Sequence, residues 1–293
     1  MDVLEGLREL QARRATAAGR LGLVPTMGAL HPGHRALLRA ARDRCDNVAA
    51  SLFVNPTQFG AEDDFAGYPR TWDRDLEILA AEGVDFVWAP PMEVMYPEGP
   101  VATVDPGQLA TVLEGKARPG HFAGVATVVA RLFDQVRPDM AFFGQKDWQQ
   151  TRVIADLVER LEPGIELVVA ATVREADGLA CSSRNVCLDG QGRRAATALY
   201  GGLVRASAAF EGGEEDAEAL REMVRTTVAS EPLARLEYAS VADALDLIEL
   251  EVAREPVVFS GAVTVGGVHL IDNIVVGPEL AREDGTDGTG SGL

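Results

Sequence analysis

Two histidines three residues apart, His31 and His34, stand in the run TMGALHPGH (26–34), with Gly33 between them. The run follows a short apolar stretch, so it predicts a turn from a strand into a helix. A helix start offers unpaired N–H groups and a positive dipole end to an anion. Gly28 permits the turn, Gly33 lets a phosphate approach the backbone, and Pro32 suits a first helical turn. Imidazoles beside such a site donate to phosphate oxygens as charge develops on them. One histidine there would read best as an incidental turn residue; two in a four-residue frame favour an anion site.

Further groups of this kind recur along the chain. FFGQKDWQQ (142–150) places Lys146 and Asp147 at a second strand-to-helix junction, with Gln150 one turn beyond on the same side. A lysine there can clamp a transferring phosphate, and Asp147 can hold that lysine or cap the helix. SLFVNPTQFG (51–60) offers Asn55, Thr57 and Gln58, neutral groups suited to reading a polar ligand, although Asn-Pro also starts ordinary turns. TVREADGLACSSRNVCL (172–188) ends a strand, turns at Asp177 and Gly178, and presents Ser182, Ser183 and Arg184 as a compact phosphate grip. Tyr68, Arg70 and Asp75 precede or enter a helix, and Arg118 and His121 precede another rich in small residues. Simple helix-start polarity explains the first trio equally well.

The elements that must position these groups alternate. Strands are expected over 21–25, 48–54, 84–89, 139–143 and 165–171, with helices over 34–45, 72–82, 122–136 and 148–161. Such alternation predicts a parallel sheet covered on both faces, a Rossmann-like α/β domain. Its ligands bind beyond the carboxyl ends of the strands, where the groups above fall. Past Ser182 the pattern changes to helices over 190–210 and 214–230 and strands over 235–242, 257–265 and 268–276. We therefore expect residues 1–173 to form the Rossmann-like domain and 174–283 a second, smaller α+β lid domain. The Gly/Thr/Asp tail, 284–293, should be disordered.

The 293 residues carry 27 Lys+Arg and 45 Asp+Glu, a formal net charge of −18. That balance excludes broad contact with nucleic acid or with an anionic membrane surface. Residues 211–293 hold 18 acids and 5 bases, whereas 1–210 hold 27 and 22, so the surplus belongs to the C-terminal part. Only two bases are lysines, Lys116 and Lys146, which makes the placement of Lys146 more telling. Cys45, Cys181 and Cys187 show no metal-ligand spacing and suit free thiols in a reducing compartment. With neither a signal-like start nor a membrane-length apolar run, the expected location is the cytoplasm.

The HxGH frame resembles the signature of the nucleotidyltransferase superfamily. The ordered set VPTMGALHPGH, SLFVNPTQFG, YPRT, GVDFVWAP, MYP, RPGHFAGVATVV, FFGQKD-x-QQ, TVREADGLA and SSRN resembles the pantothenate synthetase (pantoate–β-alanine ligase) family more closely, from about residue 21 to 190 and more faintly to about 275. The resemblance implies a two-step reaction. Pantoate attacks the α-phosphorus of ATP to give pantoyl adenylate and pyrophosphate, and β-alanine then displaces AMP. It implies His31, His34, Lys146 and Arg184 as the catalytic groups, with His34 the proton donor. It further implies ATP contacts from Met27, Gly28, Ala29, Leu30, His31, Pro32, Gly33 and His34, from Gly144, Gln145, Lys146 and Asp147, and from Val173, Cys181, Ser182, Ser183 and Arg184. Gln58 and Gln150, with Asn55, would hold pantoate and β-alanine. Mg²⁺ accompanies the triphosphate, Asp75 being a candidate ligand, and a homodimer is implied. Pro32 stands where the family commonly has an acid and Cys181 where it has Met or Leu; neither removes a reacting group. From the residues alone two alternatives stay open: a plain nucleotidyltransferase acting on a phosphorylated substrate, and a non-catalytic nucleotide-binding module.

Overall fold

A computed structural model describes residues 1–60, 65–161 and 164–277. Strands β1 (Asp2–Leu4), β2 (Leu21–Thr26), β3 (Asn47–Leu52), β4 (Phe86–Trp88), β5 (Met140–Gly144) and β6 (Glu166–Ala170) form a parallel sheet in the order β1-β4-β3-β2-β5-β6. Helices α1 (Leu7–Thr16), α2 (Pro32–Arg44), α3 (Trp72–Ala81), α4 (Met92–Met95), α5 (Leu113–Ala117), α6 (His121–Val136) and α7 (Trp148–Leu161) connect them.

Alternation along the strands supplies both faces. Leu21 and Leu23 of β2, Ala49 of β3, and Phe86 and Trp88 of β4 join a core built with α6 and α7. Their neighbours Val24, Val48, Ala50 and Val87 join a second core, with Leu37, Leu38 and Ala41 of α2 and Leu79 of α3. Successive strand side chains point to opposite faces, so a sheet buried on both sides must be apolar nearly throughout. Strand order reverses at β2, which lies between β3 and β5. The carboxyl ends of β2 and β5 therefore flank the crevice where such sheets take ligands.

The C-terminal part carries α8 (Gly190–Ala195), α9 (Thr197–Glu211), α10 (Ala217–Ala229) and an antiparallel sheet of β7 (Ala234–Asp243), β8 (Val257–Val265) and β9 (Val268–Val276). Leu199, Leu203, Leu220 and Val224 pack on Phe259 and Val263 in its own core. The expected α/β fold with a smaller α+β part is therefore present.

One local expectation needs correction. The helix expected over 190–210 is two, separated only by Ala196, in a run of good helix formers where no residue type marks a break. Strand β1 is too short to show a period, and α1 buries only Leu10, so neither had a pattern to read. The tail expected to be disordered, 284–293, and the end of the second expected domain lie outside the described residues.

Candidate active site

His31 is the N-cap of α2, and its Nδ1 accepts a hydrogen bond from the Gly33 N–H at 3.2 Å. His34 reaches back, its Nδ1 accepting from the His31 N–H at 3.3 Å. The rings lie 4.0 Å apart by centroid. A backbone N–H can only donate, so both Nδ1 atoms carry lone pairs and each neutral ring keeps its proton on Nε2. Burial first, and then Lys146, lowers the His31 pKa to about 4; burial and then His31 lower that of His34 to about 3. At neutral pH both are uncharged Nε2–H donors. A side chain at position 33 would meet the His31 ring at 2.9 Å, so this cap requires glycine.

The turn leading into α2 is held from beneath. Gly28 has φ +85° and Ala29 φ +52°, left-handed values that cost a non-glycine residue about 1–2 kcal/mol. Asp75, 2% exposed, braces them: its carboxylate accepts from the Ala29 and Leu30 N–H groups at 2.9 and 2.8 Å and from the Thr71 hydroxyl at 3.0 Å. The possible metal ligand is thus spent on the loop, and it does not line the pocket. Among the described residues no group of three or more His, Cys, Asp or Glu could hold a metal ion.

The pocket, about 270 Å³, opens at the ends of β2, β3, β5 and β6. Met27, His31, Gly33 and His34 line it from the β2 loop; Gly144, Lys146 and Asp147 from the β5 loop; Val173 and Cys181 to Arg184 from beyond β6. Asn55, Gln58 and Gln150 also line it. Gly28, Ala29, Leu30, Pro32 and Gln145, expected at the same site, support the walls rather than line them: Leu30 is buried, and the Gln145 carbonyl accepts from Asn273.

Each wall has a structural cause. Lys146 Nζ donates to Asp147 Oδ1 at 3.2 Å. Burial alone would raise the Asp147 pKa, but Lys146, Arg184 and His121 outweigh it and lower it. The Cys181 N–H donates to the Val173 carbonyl, folding the intervening turn back so that Ser182 caps the short turn bearing Arg184. The Ser183 hydroxyl meets that of Tyr68 at 3.3 Å.

Asn55, 1% exposed, orders the β3 loop. Its Oδ1 accepts from the Thr57 N–H and from the hydroxyls of Thr57 and Tyr96, which leaves Nδ2 to donate to the Gln58 Oε1 at 3.0 Å and the Gly124 carbonyl at 3.2 Å. The Gln58 Oε1 is thereby occupied, and its amide N–H groups remain for a ligand. Gly124 packs so closely here that a Cβ on it would lie 2.1 Å from the Thr57 carbonyl.

A family model for pantoate-beta-alanine ligase matches residues 2–275. The chain belongs to the pantoate–β-alanine ligase family. It is therefore a ligase enzyme, and its relatives are named accordingly. The pantothenate synthetase of Roseiflexus sp. (strain RS-1) is 50% identical over 94% of this chain and 99% of its own length. That of Chloroflexus aurantiacus (strain ATCC 29366 / DSM 635 / J-10-fl) is 51% identical over 93% and 97%. The crystal structure of pantothenate synthetase from Thermus thermophilus superposes with a TM-score of 0.88 at 40% identity, covering 95% of this chain and all of that one. The Francisella tularensis pantoate-beta-alanine ligase, complexed with beta-gamma ATP and beta-alanine, matches with a TM-score of 0.77 at 32% identity, over 94% and 97% of the two chains.

Several residues of this ligase's pocket escaped the sequence reading. Gln149 is spent on structure: its Nε2 donates to the Leu109 and Val112 carbonyls and its Oε1 accepts from the Glu114 N–H. That leaves Gln150 as the glutamine of the pair available to a ligand. Asn273 of β9 donates to the Gln145 and Lys146 carbonyls at 3.0 and 2.8 Å, fixing the lysine turn from the small sheet. Glu114, buried, pairs with His269 of β9 at 2.9 Å. Partners from 35 to 155 residues away leave no local spacing to detect.

Proposed function

We propose that this chain condenses pantoate with β-alanine to pantothenate through a pantoyl-adenylate intermediate, consuming ATP and releasing pyrophosphate and AMP. The observation that carries this reading is that cationic and N–H-bearing groups, His31, His34, Lys146 and Arg184, share one pocket with the neutral amides of Gln58 and Gln150. The former suit a triphosphate, and the amides suit a hydroxy acid that carries no phosphate. A plain nucleotidyltransferase would want a cluster of Lys or Arg for its second phosphate, whereas the part of the pocket around Gln58 adds one further cation, Arg118, which donates to the Gln58 carbonyl at 3.5 Å. The ligand set of the Francisella relative, beta-gamma ATP with beta-alanine, favours the same choice.

In this scheme the pantoate carboxylate attacks the α-phosphorus and pyrophosphate leaves. The Nε2–H groups of His31 and His34 donate to phosphate oxygens as negative charge grows, and Lys146 and Arg184 stabilise the same charge. His34, its pKa lowered to about 3 by burial, presents its Nε2–H to the phosphates and remains the proton donor of this scheme. Ser182, Ser183 and Gly144 complete the phosphate grip, while Gln58, ordered by Asn55, and Gln150 hold pantoate. Mg²⁺ would arrive on the triphosphate, since Asp75 is committed to the β2 loop.

We further propose that residues 1–173 bind the substrates and that 174–283 form a lid over ATP. The lid is tied down by the Asn273 bonds and by the Trp148 Nε1–H donated to the Ala244 carbonyl at 2.9 Å. Family likeness supports a homodimer. A cytoplasmic location agrees with three free cysteines and with no helix, among the described residues, long and apolar enough to cross a membrane.

Protein supplied with ATP, Mg²⁺ and pantoate will release pyrophosphate without β-alanine, and AMP will follow its addition. Pyrophosphate released only with a phosphorylated co-substrate would establish the nucleotidyltransferase reading instead.

A further inference from the structure

Three imidazoles line the pocket, and they are not alike. His31 and His34 each spend the Nδ1 lone pair on a backbone N–H, so they can only donate to a ligand. His121, the first residue of α6, does the opposite. Its Nδ1 lies 2.8 Å from the Gln58 carbonyl, which can only accept; Nδ1 must carry the proton, and the lone pair is on Nε2. Of the pocket's three acids, Asp147 is held by Lys146, Glu114 is buried and ion-paired to His269, and Asp272 is held by Arg174 at 2.6 and 2.9 Å. Among the described residues, His121 is thus the neutral imidazole of this pocket with an available acceptor nitrogen.

The second half of the proposed reaction needs such a group. An amine that attacks an acyl phosphate must lose a proton as the C–N bond forms, or it is expelled again. We propose that His121 is the general base of the amine step, accepting that proton on Nε2 while its Nδ1–H fixes the Gln58 backbone. The assignment rests on the ligase reading. β-Alanine enters as the free amine, having left one ammonium proton to solvent. Its nitrogen lone pair forms the bond to the pantoyl carbonyl carbon, and its departing proton passes to Nε2 of His121. The acyl C–O bond breaks with its electron pair leaving on AMP. The imidazolium then returns the proton to water.

The surroundings keep the base unprotonated until it is used. Burial first, then the Arg118 charge, lowers the His121 pKa to about 4; the Gln58 carbonyl and Glu114 oppose this, and Arg184 adds to it. Arg118 and Glu114 precede His121 in the α5 segment, and Arg184 reaches it from the turn beyond β6. A nucleotide anion seated against Arg184 offsets that cation, so basicity rises when the adenylate is in place.

His121→Asn separates the two functions of the ring, because its Nδ2–H can replace the Nδ1–H donor to Gln58 but it brings no base. Single-turnover aminolysis of the accumulated adenylate by β-alanine should fall by roughly 10²–10⁴, a far larger loss than that in pyrophosphate release from ATP and pantoate. The parent's aminolysis rate should fall towards acid pH with an inflection that His121→Asn lacks. Aminolysis within about three-fold of the parent, a far smaller loss than general-base removal causes, would overturn the assignment. So would an equal loss in both half-reactions, which marks the ring as purely positional. If the parent releases no pyrophosphate with pantoate, the ligase reading itself fails, which is a separate result.

Discussion

Replacing Asp75 by Asn tests what holds the histidine loop in place. The carboxylate accepts two backbone N–H groups, Ala29 at 2.9 Å and Leu30 at 2.8 Å, at a site 2% exposed to solvent. An amide keeps one acceptor oxygen and turns an NH₂ towards the other N–H. One hydrogen bond to a charged group is lost, about 1.5–3 kcal/mol, and one buried donor is left unmet, about 1–3 kcal/mol. The combined cost should be roughly 3–5 kcal/mol, and the left-handed backbone at Ala29 then has less to hold it. Thermal unfolding should start on the order of 10 °C lower. Pyrophosphate release should lose at least about tenfold in kcat/KM for ATP, because a misplaced site for the transferring group is costly. The Mg²⁺ concentration for half-maximal rate should not change. An unchanged melting temperature with a raised Mg²⁺ requirement would refute this account and make Asp75 a metal ligand.

Lys146→Ala should lower kcat for pyrophosphate release by about 10²–10³, the effect of removing one preorganised donor, and near-parental turnover would remove Lys146 from the mechanism. Gly124→Ala, whose Cβ would press on the Thr57 carbonyl at 2.1 Å, should displace Gln58 and raise KM for pantoate more than for ATP. Equal effects on both substrates would show that the turn is not a pantoate wall. Arg174→Met strands the Asp272 carboxylate, now held at 2.6 and 2.9 Å and 5% exposed, and should destabilise the protein by about 3–5 kcal/mol; urea unfolding measures it. For His31, His34 and His121 the folded pKa lies below the usual 6.5. Their contribution to stability is complete above that value and is lost as pH falls from 6.5 towards 4 and 3, by up to about 1.4 kcal/mol per pH unit for each proton that only the unfolded chain binds. His269, raised by its Glu114 and Glu237 partners against burial, works the other way, and its contribution is lost as pH rises past 6.5. Denaturation midpoints at pH 4.5, 5.5 and 7 check the net sign, and a midpoint that rises towards acid would contradict it.

How much was legible in the sequence follows from how local each signal is. The strands and helices of the parallel sheet bury whole faces, so their periodicity appears in the residues themselves, and the observed bounds stay close to those expected. The helix-start histidines and the strand-end lysine were legible for a related reason: their chemistry depends on neighbours within four residues. Asp75 was not, because a carboxylate at a helix start looks the same whether it caps its own helix, binds a metal or braces a loop 45 residues earlier. Nor was the structural role of Gln149, although spacing from Lys146 singled out Gln150. Adjacent glutamines on a helix point about 100° apart, and only the position of the 109–114 segment decides which one is consumed.

The histidines show most clearly what composition cannot encode. His31, His34 and His121 are one residue type, within one pocket, each held by one backbone group through Nδ1. At a helix start the available group is an N–H, which turns the ring into a donor. Beside the turn over Pro56–Gln58 it is a carbonyl, which turns the ring into an acceptor. Both arrangements have the same type of residue and the same direction of pKa shift, yet they suit opposite chemistry: stabilising charge that grows on a phosphate, and removing a proton from an amine. The proposed reaction needs both in sequence, the first at the α-phosphorus and the second at the acyl carbon. In the mechanism we propose, backbone polarity, set by where α2 and α6 begin, divides three identical side chains between the two steps.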